Sequence, residues 1–120
     1  MVLMKKAFLL LPVLLAAAAP AHATGGMTCR TAGAKPVVVS LVIGHTAGSP
    51  LVSGRMVDNG SAIEVRAVQW WLDSSELRLL LVDPQATRAE VTLKAKKNGR
   101  FYDGSLVRSG RSQWVRCRES

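Results

Sequence analysis

Residues 88–118 read RAEVTLKAKKNGRFYDGSLVRSGRSQWVRCR. Two short reversals divide this stretch, Asn98-Gly99 and Ser109-Gly110, dipeptides that supply the positive backbone angles a tight hairpin needs. Around them apolar and polar residues alternate with a period of two, the mark of strands with one buried face. Residues directly opposite in a hairpin share a face, so a turn assignment is checked by whether it pairs apolar with apolar. Setting Lys97 opposite Arg100 pairs Ala95 with Tyr102, Leu93 with Gly104 and Val91 with Leu106, and leaves Lys94 with Asp103 and Thr92 with Ser105 on the other face. Setting Arg108 opposite Arg111 continues the inward face through Tyr102 with Cys117, Gly104 with Val115 and Leu106 with Gln113. Asp103 then falls between Lys94 and Arg116. Both turns select one inward face, which predicts three antiparallel strands in succession.

The same pattern extends toward the N-terminus. Strands are expected near 37–43, 50–58, 62–72, 77–82, 88–97, 100–108 and 112–118, with no stretch of helical period. Asn59-Gly60 sets Met56 opposite Ile63, Gly54 opposite Val65 and Val52 opposite Ala67, with Arg55 facing Glu64. The turn at 73–76 sets Trp70 across from Leu79 and Val68 across from Leu81, with Trp71 facing Arg78. Inside and outside swap between Ala67 and Val68, as an extra residue in a β-bulge would cause. The fold class is therefore all-β: a small antiparallel meander of about seven strands forming a closed or partly closed barrel, with a two-sheet sandwich as the alternative. Cys29 and Cys117 are the only cysteines. Bonding them brings the first segment beside the last strand and closes the sheet.

The ends of the chain set the compartment. Lys5 and Lys6 precede an apolar run from Ala7 to Ala19 and the small-residue pattern Ala21-His22-Ala23. This is the charged, apolar and cleavage-site order of a signal peptide over residues 1–23, leaving 24–120 as a single β domain. The apolar run is too short for a spanning helix, and none follows it. A periplasmic or secreted location is expected, one in which thiols oxidise to disulfides. Residues 24–27 and 118–120 are expected to fray.

Charge is concentrated late in the chain, whose net is +8. Residues 24–87 hold five basic and five acidic side chains, whereas residues 88–120 hold nine basic against three acidic. With the register above, Lys94, Lys96, Arg116 and Arg118 share an outer face with Phe101 and Trp114, and Phe101 sits between Lys96 and Arg118. Cations attract an anionic partner at long range, and exposed rings add stacking or apolar contact. That arrangement points to an envelope binding module for lipopolysaccharide, peptidoglycan, lipid phosphate or an acidic protein. Solubilising charges on a wet sheet face, in a structural envelope protein without a specific ligand, are the plain alternative. The exported address speaks against nucleic acid.

Trp70, across from aliphatic Leu79, reads as core, and Trp71 as a surface stacking partner of Arg78. His45 lies in a Gly-, Ser- and Pro-containing loop without a nearby carboxylate, and Ser40, Ser53 and Asp58 are only sequence neighbours. A lone histidine makes neither a metal site nor a triad. No phosphate loop, zinc spacing or nucleophile elbow occurs, so no catalytic residue, metal or cofactor is assigned.

The layout of a signal peptide, an early cysteine, a small β domain and a late cysteine resembles the C-type lysozyme inhibitors of the bacterial envelope, the membrane-bound lysozyme inhibitor-like barrels. Their Ser-Gly-x-x-Tyr motif corresponds to Ser53-Gly54-Arg55-Met56-Val57, with valine where the family has tyrosine. The resemblance implies a disulfide-closed barrel and inhibition of a lysozyme or other hydrolase by residues inserted into its cleft. Lysozymes of that type are basic, so two positive surfaces would meet.

Overall fold

The computed structural model describes residues 25–44 and 51–120. The expected signal peptide and His45 lie outside the described residues. Among these residues nine strands follow one another: β1 (Gly25–Thr31), β2 (Val37–Ile43), β3 (Leu51–Asp58), β4 (Ser61–Ile63), β5 (Arg66–Leu72), β6 (Glu76–Val82), β7 (Ala89–Asn98), β8 (Phe101–Arg108) and β9 (Arg111–Glu119). They form one antiparallel sheet in the order β4-β3-β2-β1-β9-β8-β7-β6-β5. This is a single rolled sheet, not a two-layer sandwich.

The order requires the roll. β4 and β5 are the two outermost strands, yet only Glu64 and Val65 separate them in the chain. The three Cα steps from Ile63 to Arg66 span at most about 11 Å, so the edges of a nine-stranded sheet must curl toward each other, and β3 packs against β5 across the seam. Register shifts at Val42/Ile43 and Leu81/Val82 add further bends. The result is a curled half-barrel whose edges are brought together without a full ladder among the described residues.

Apolar side chains at alternate positions fill the interior. Met27 and Cys29 of β1, Val39 and Leu41 of β2, Met56 of β3, Leu79 and Leu81 of β6, Val91 and Leu93 of β7, Leu106 of β8 and Val115 and Cys117 of β9 are all buried. Trp70 is half-buried and packs against this cluster. Each buried aliphatic of this size contributes about 1.5–3 kcal/mol relative to exposure.

Strand β1 was not among the seven expected, and its Gly25-Gly26-Met27 start does not fray. Gly25 pairs with Ile43 of β2, and Met27 pairs with Glu119 of β9. Arg118 and Glu119 also belong to a strand, and the Ser120 amide donates to the Gly26 carbonyl at 3.0 Å. Cys29 lies directly opposite Cys117, and the two form a disulfide. Among the described residues every other ladder joins strands consecutive in the chain, so this bond sits on the one pairing that is distant in sequence.

The expected strand 62–72 is two strands. The Asn59-Gly60 hairpin, with φ of 53° and 84° at its two turn residues, holds Met56 opposite Ile63, and there the ladder ends. The expected pairs Gly54–Val65, Val52–Ala67 and Arg55–Glu64 are absent from it, because residues 64–65 carry the chain to the opposite edge of the sheet. In the β5–β6 hairpin Trp70 faces Leu79 and Trp71 faces Arg78, while Ala67 rather than Val68 pairs with Leu81. Val68 is the extra residue of a bulge and is 42% exposed.

The β8–β9 register is Tyr102–Cys117, Gly104–Val115, Leu106–Gln113 and Arg108–Arg111, as the sequence predicts. The β7–β8 register differs by two residues: Asn98 pairs with Phe101, Lys96 with Asp103, Ala95 with Gly104, Lys94 with Ser105 and Leu93 with Leu106. Gly99 (φ 66°) and Arg100 form the turn, so glycine takes the first central position instead of the second. A shift of two preserves every face. It also sets Leu93 against Leu106, placing two large aliphatics together where the expected register put leucine against glycine.

Gly104 has a specific steric role. A Cβ there would collide with the Lys94 carbonyl oxygen and lie 2.5 Å from the Ala95 Cα. Both are backbone atoms of β7 and cannot swing aside. Gly104→Ala is expected to lower stability by about 1–3 kcal/mol, the usual range for overpacking, read as a lower urea midpoint with unchanged slope.

Candidate functional site

The barrel ends are occupied by polar contacts that stay within the fold. At one end Arg108 of β8 reaches Asp58 of β3 (2.6 Å) and Glu90 of β7 (2.8 Å), and Glu90 also meets Arg88 (3.0 Å). β8 and β3 are four places apart in the sheet, so this ion group bridges across the barrel. A polar cavity of about 470 Å³ beside it includes Lys35 and Arg111, but its deepest cation, Arg108, is already neutralised. At the other end the Tyr102 hydroxyl donates to the Asp73 carbonyl at 2.7 Å. Burial raises the Tyr102 pKa above its ordinary value.

The outer face of β5 to β9 carries cross-strand rows of different character. One runs Glu76, Lys96, Asp103, Arg116 and Arg30 through successive register pairs. Its charges largely alternate, and Arg116 grips Asp103 through two hydrogen bonds of 2.7 and 2.8 Å. Those bonds hold the Asp103 carboxyl below its usual range and raise Arg116. The Arg116 guanidinium also lies 4.1 Å from the Phe101 ring centroid and 5.4 Å from that of Trp114, with Arg118 5.8 Å from Phe101. Phe101 is consequently half-buried beneath arginines and pairs with Asn98, not Lys96.

The neighbouring row reads Trp71, Arg78, Lys94, Ser105 and Trp114 from β5 to β9. It contains no acid. Arg78 and Lys94 are direct cross-strand partners, an arrangement of like charges that destabilises a sheet. Glu76 approaches Arg78 at 3.4 Å but leaves its side chain 52% exposed, and Lys94 has no acidic partner within ion-pair distance among the described residues. The tryptophans at the two ends are 49% and 50% exposed. A groove of about 430 Å³ lies over β6, walled by Gln69 and Trp71 on one side and Thr92 and Lys94 on the other, with Arg78 and Leu80 between.

Trp71 is held in place. Its indole Nε1–H donates to Asp73 Oδ2 at 2.8 Å, and Asp73 Oδ1 accepts from the Ser75 and Glu76 amides and the Ser75 hydroxyl at 2.7–2.9 Å. Backbone donors at Ser75 and Glu76, with the Ser75 hydroxyl and the Trp71 indole, hold the Asp73 carboxyl well below the usual carboxylate range. Asp73 is therefore an ionised acceptor for the Trp71 indole across the physiological pH range.

Of the residues expected on the ligand face, Lys94, Lys96, Phe101, Trp114, Arg116 and Arg118 do share one outer surface. Arg116 and Phe101 are engaged with each other there, and Lys96 lies between Glu76 and Asp103. Sequence reasoning did not join Trp71 and Arg78 to Lys94 and Trp114, because residues 83–88 connect β6 to β7 by a loop whose length fixes no register. That loop is organised by Asp83, which accepts from the Thr87 hydroxyl and from the Thr87 and Arg88 amides. Ser53 and Gly54 point apart: Ser53 is exposed, whereas a Cβ on Gly54 would touch the side chains of Leu41 and Leu81. Among the described residues no group of three or more His, Cys, Asp or Glu side chains lies close enough to hold a metal ion, and no helix is long and apolar enough to cross a membrane. No family model, curated protein or solved structure matches this chain.

Proposed function

We propose that this protein is an exported, non-enzymatic binding module for an anionic envelope component, held on the outer face of β5 to β9. The observation that carries this reading is Arg78 directly opposite Lys94, a like-charge pair on an acid-free row between two half-exposed tryptophans. In the adjacent row Lys96 lies between Glu76 and Asp103, and Arg116, although opposite Arg30, is paired with Asp103, whereas Lys94 meets no acid among the described residues. An anion placed over the pair would remove the repulsion and gain both attractions. The leader-like N-terminus and the disulfide agree with an oxidising compartment that contains lipid phosphate, lipopolysaccharide and peptidoglycan carboxylates.

Lys94→Glu separates function from stability by sign. It replaces a repulsive cross-strand pair with an attractive one, so the fold is expected to gain a few tenths of a kcal/mol, up to about 1. Retention on immobilised lipopolysaccharide or peptidoglycan at low salt is expected to fall by about 5- to 30-fold, the equivalent of one exposed attraction lost and one repulsion gained. High salt should release the parent protein as well. Equal retention of parent and variant at both salt concentrations would remove this surface from consideration.

A further inference from the structure

The row's geometry narrows the class of anion. We infer that the ligand is a linear acidic polysaccharide lying across the strands from Trp71 to Trp114, with one sugar seated in the groove over β6. This rests on the anion-binding reading above and specifies its ligand.

The two tryptophans are separated by four strand intervals of about 4.8 Å, or about 19 Å along the surface. Between them lie Arg78, Lys94 and Ser105, two cations and a hydroxyl, in a single file. An acidic sugar presents an apolar C–H face to an aromatic ring and a carboxylate and hydroxyls at its edge. A chain of such units repeats both features, as the row does. The groove brings the two together over one site: the Trp71 ring forms a wall, Arg78 and Lys94 supply charge, and Gln69 and Thr92 supply hydrogen-bonding groups. Fixing the Trp71 indole against Asp73 removes rotamer freedom before a ligand arrives, which lowers the ordering cost of stacking.

A lipid surface fits less well. Membrane-seeking faces gather their apolar side chains into one patch, but here the exposed tryptophans stand at opposite ends of a polar row. The sheet also curls away from its outer face, so a flat bilayer meets one tryptophan or the other, while a flexible polymer follows the curve. The exposed valines Val42, Val57, Val68 and Val107 are scattered over β2, β3, β5 and β8, and none belongs to this row.

The test is calorimetric titration with oligogalacturonides of graded length, their neutral methyl esters, and phosphatidylglycerol vesicles. Affinity should rise with oligomer length and level off once both tryptophans are reached, and the esters should not bind. Trp114→Ala should weaken only the long oligomers, by about 2- to 10-fold, whereas Trp71→Ala should weaken short and long alike by a similar factor. Both positions are on the surface, and thermal melts matching the parent confirm that the variants fold. Length-independent affinity, or binding to vesicles without binding to oligomers, overturns the polysaccharide inference and leaves the anion-binding reading standing; equal binding of the esters overturns both, because recognition would then not depend on the negative charge. Failure to bind oligomers or vesicles overturns the polysaccharide inference, and the anion-binding reading falls with it when salt-sensitive retention on lipopolysaccharide and peptidoglycan is absent as well.

Discussion

Arg108→Ala is expected to destabilise the domain by about 2–3 kcal/mol, because removing the central partner of a partly buried ion group leaves the buried Glu90 carboxylate without its main cation. Glu90 is 8% exposed and would keep only Arg88, whose own side chain is 70% exposed. Asp58 would lose its 2.6 Å contact from Arg108 Nε. The loss has a second part, since the guanidinium links β8 to β3 across the barrel end and the alanine leaves that end open. Replacing Arg108, Asp58 and Glu90 together by Met, Leu and Leu should recover most of the stability, as buried ion groups exchanged for apolar residues are often neutral or better. Urea midpoints of the single and triple variants decide it. A single variant within about 0.5 kcal/mol of the parent, the range of ordinary surface changes, would show that the group is solvated.

Loss of the disulfide is the second large effect. Cys29 and Cys117 are 88 residues apart in sequence and directly opposite in the β1–β9 ladder. In the polymer model, cross-linking a loop of that length removes denatured-chain entropy worth about 4–5 kcal/mol. The position makes the figure meaningful here, because β1–β9 is the only pairing among the described residues that bears so long a closure cost. The Cys29→Ser, Cys117→Ser double variant, or the parent under a strong reductant, should lose stability on this scale, shown by a large drop in urea midpoint. A difference below about 1 kcal/mol would mean that the hydrogen-bonded ladder closes the sheet without covalent help.

How far the residues foretold this arrangement depends on the kind of connection. Ser109-Gly110 fixes its hairpin to the residue because both positions accept positive φ, at 50° and 76°, and every β8–β9 partner follows. Asn98-Gly99 admits two solutions that bury the same faces, and alternation alone cannot choose between them. The clash waiting at Gly104 is a tertiary fact invisible to pattern. The bulge at Val68 was legible because it inverts parity, whereas β1 was not, because Gly25-Gly26 carries no strand signal and acquires one only by lying between β2 and β9. The candidate site divides the same way. The basic, ring-bearing surface of β7 to β9 follows from the hairpin turns. Its extension to Arg78 and Trp71 depends on the β6–β7 pairing, which the Asp83-centred loop sets through hydrogen bonds rather than through turn type.

The crossing at Glu64–Val65 has a consequence for how the chain could be rewired. Among the described residues every neighbour relation in the sheet except β9 with β1 joins strands adjacent in sequence, and the two edges are themselves consecutive. Read cyclically, the order is a plain up-and-down circuit. A permuted polypeptide entering at β5, running through β9, bridged directly into β1 and leaving after β4 would contain only local hairpins. Its contact order would be lower, and on topological grounds it should reach the native state faster. The covalent bond at 29 and 117 would then have almost no loop left to close.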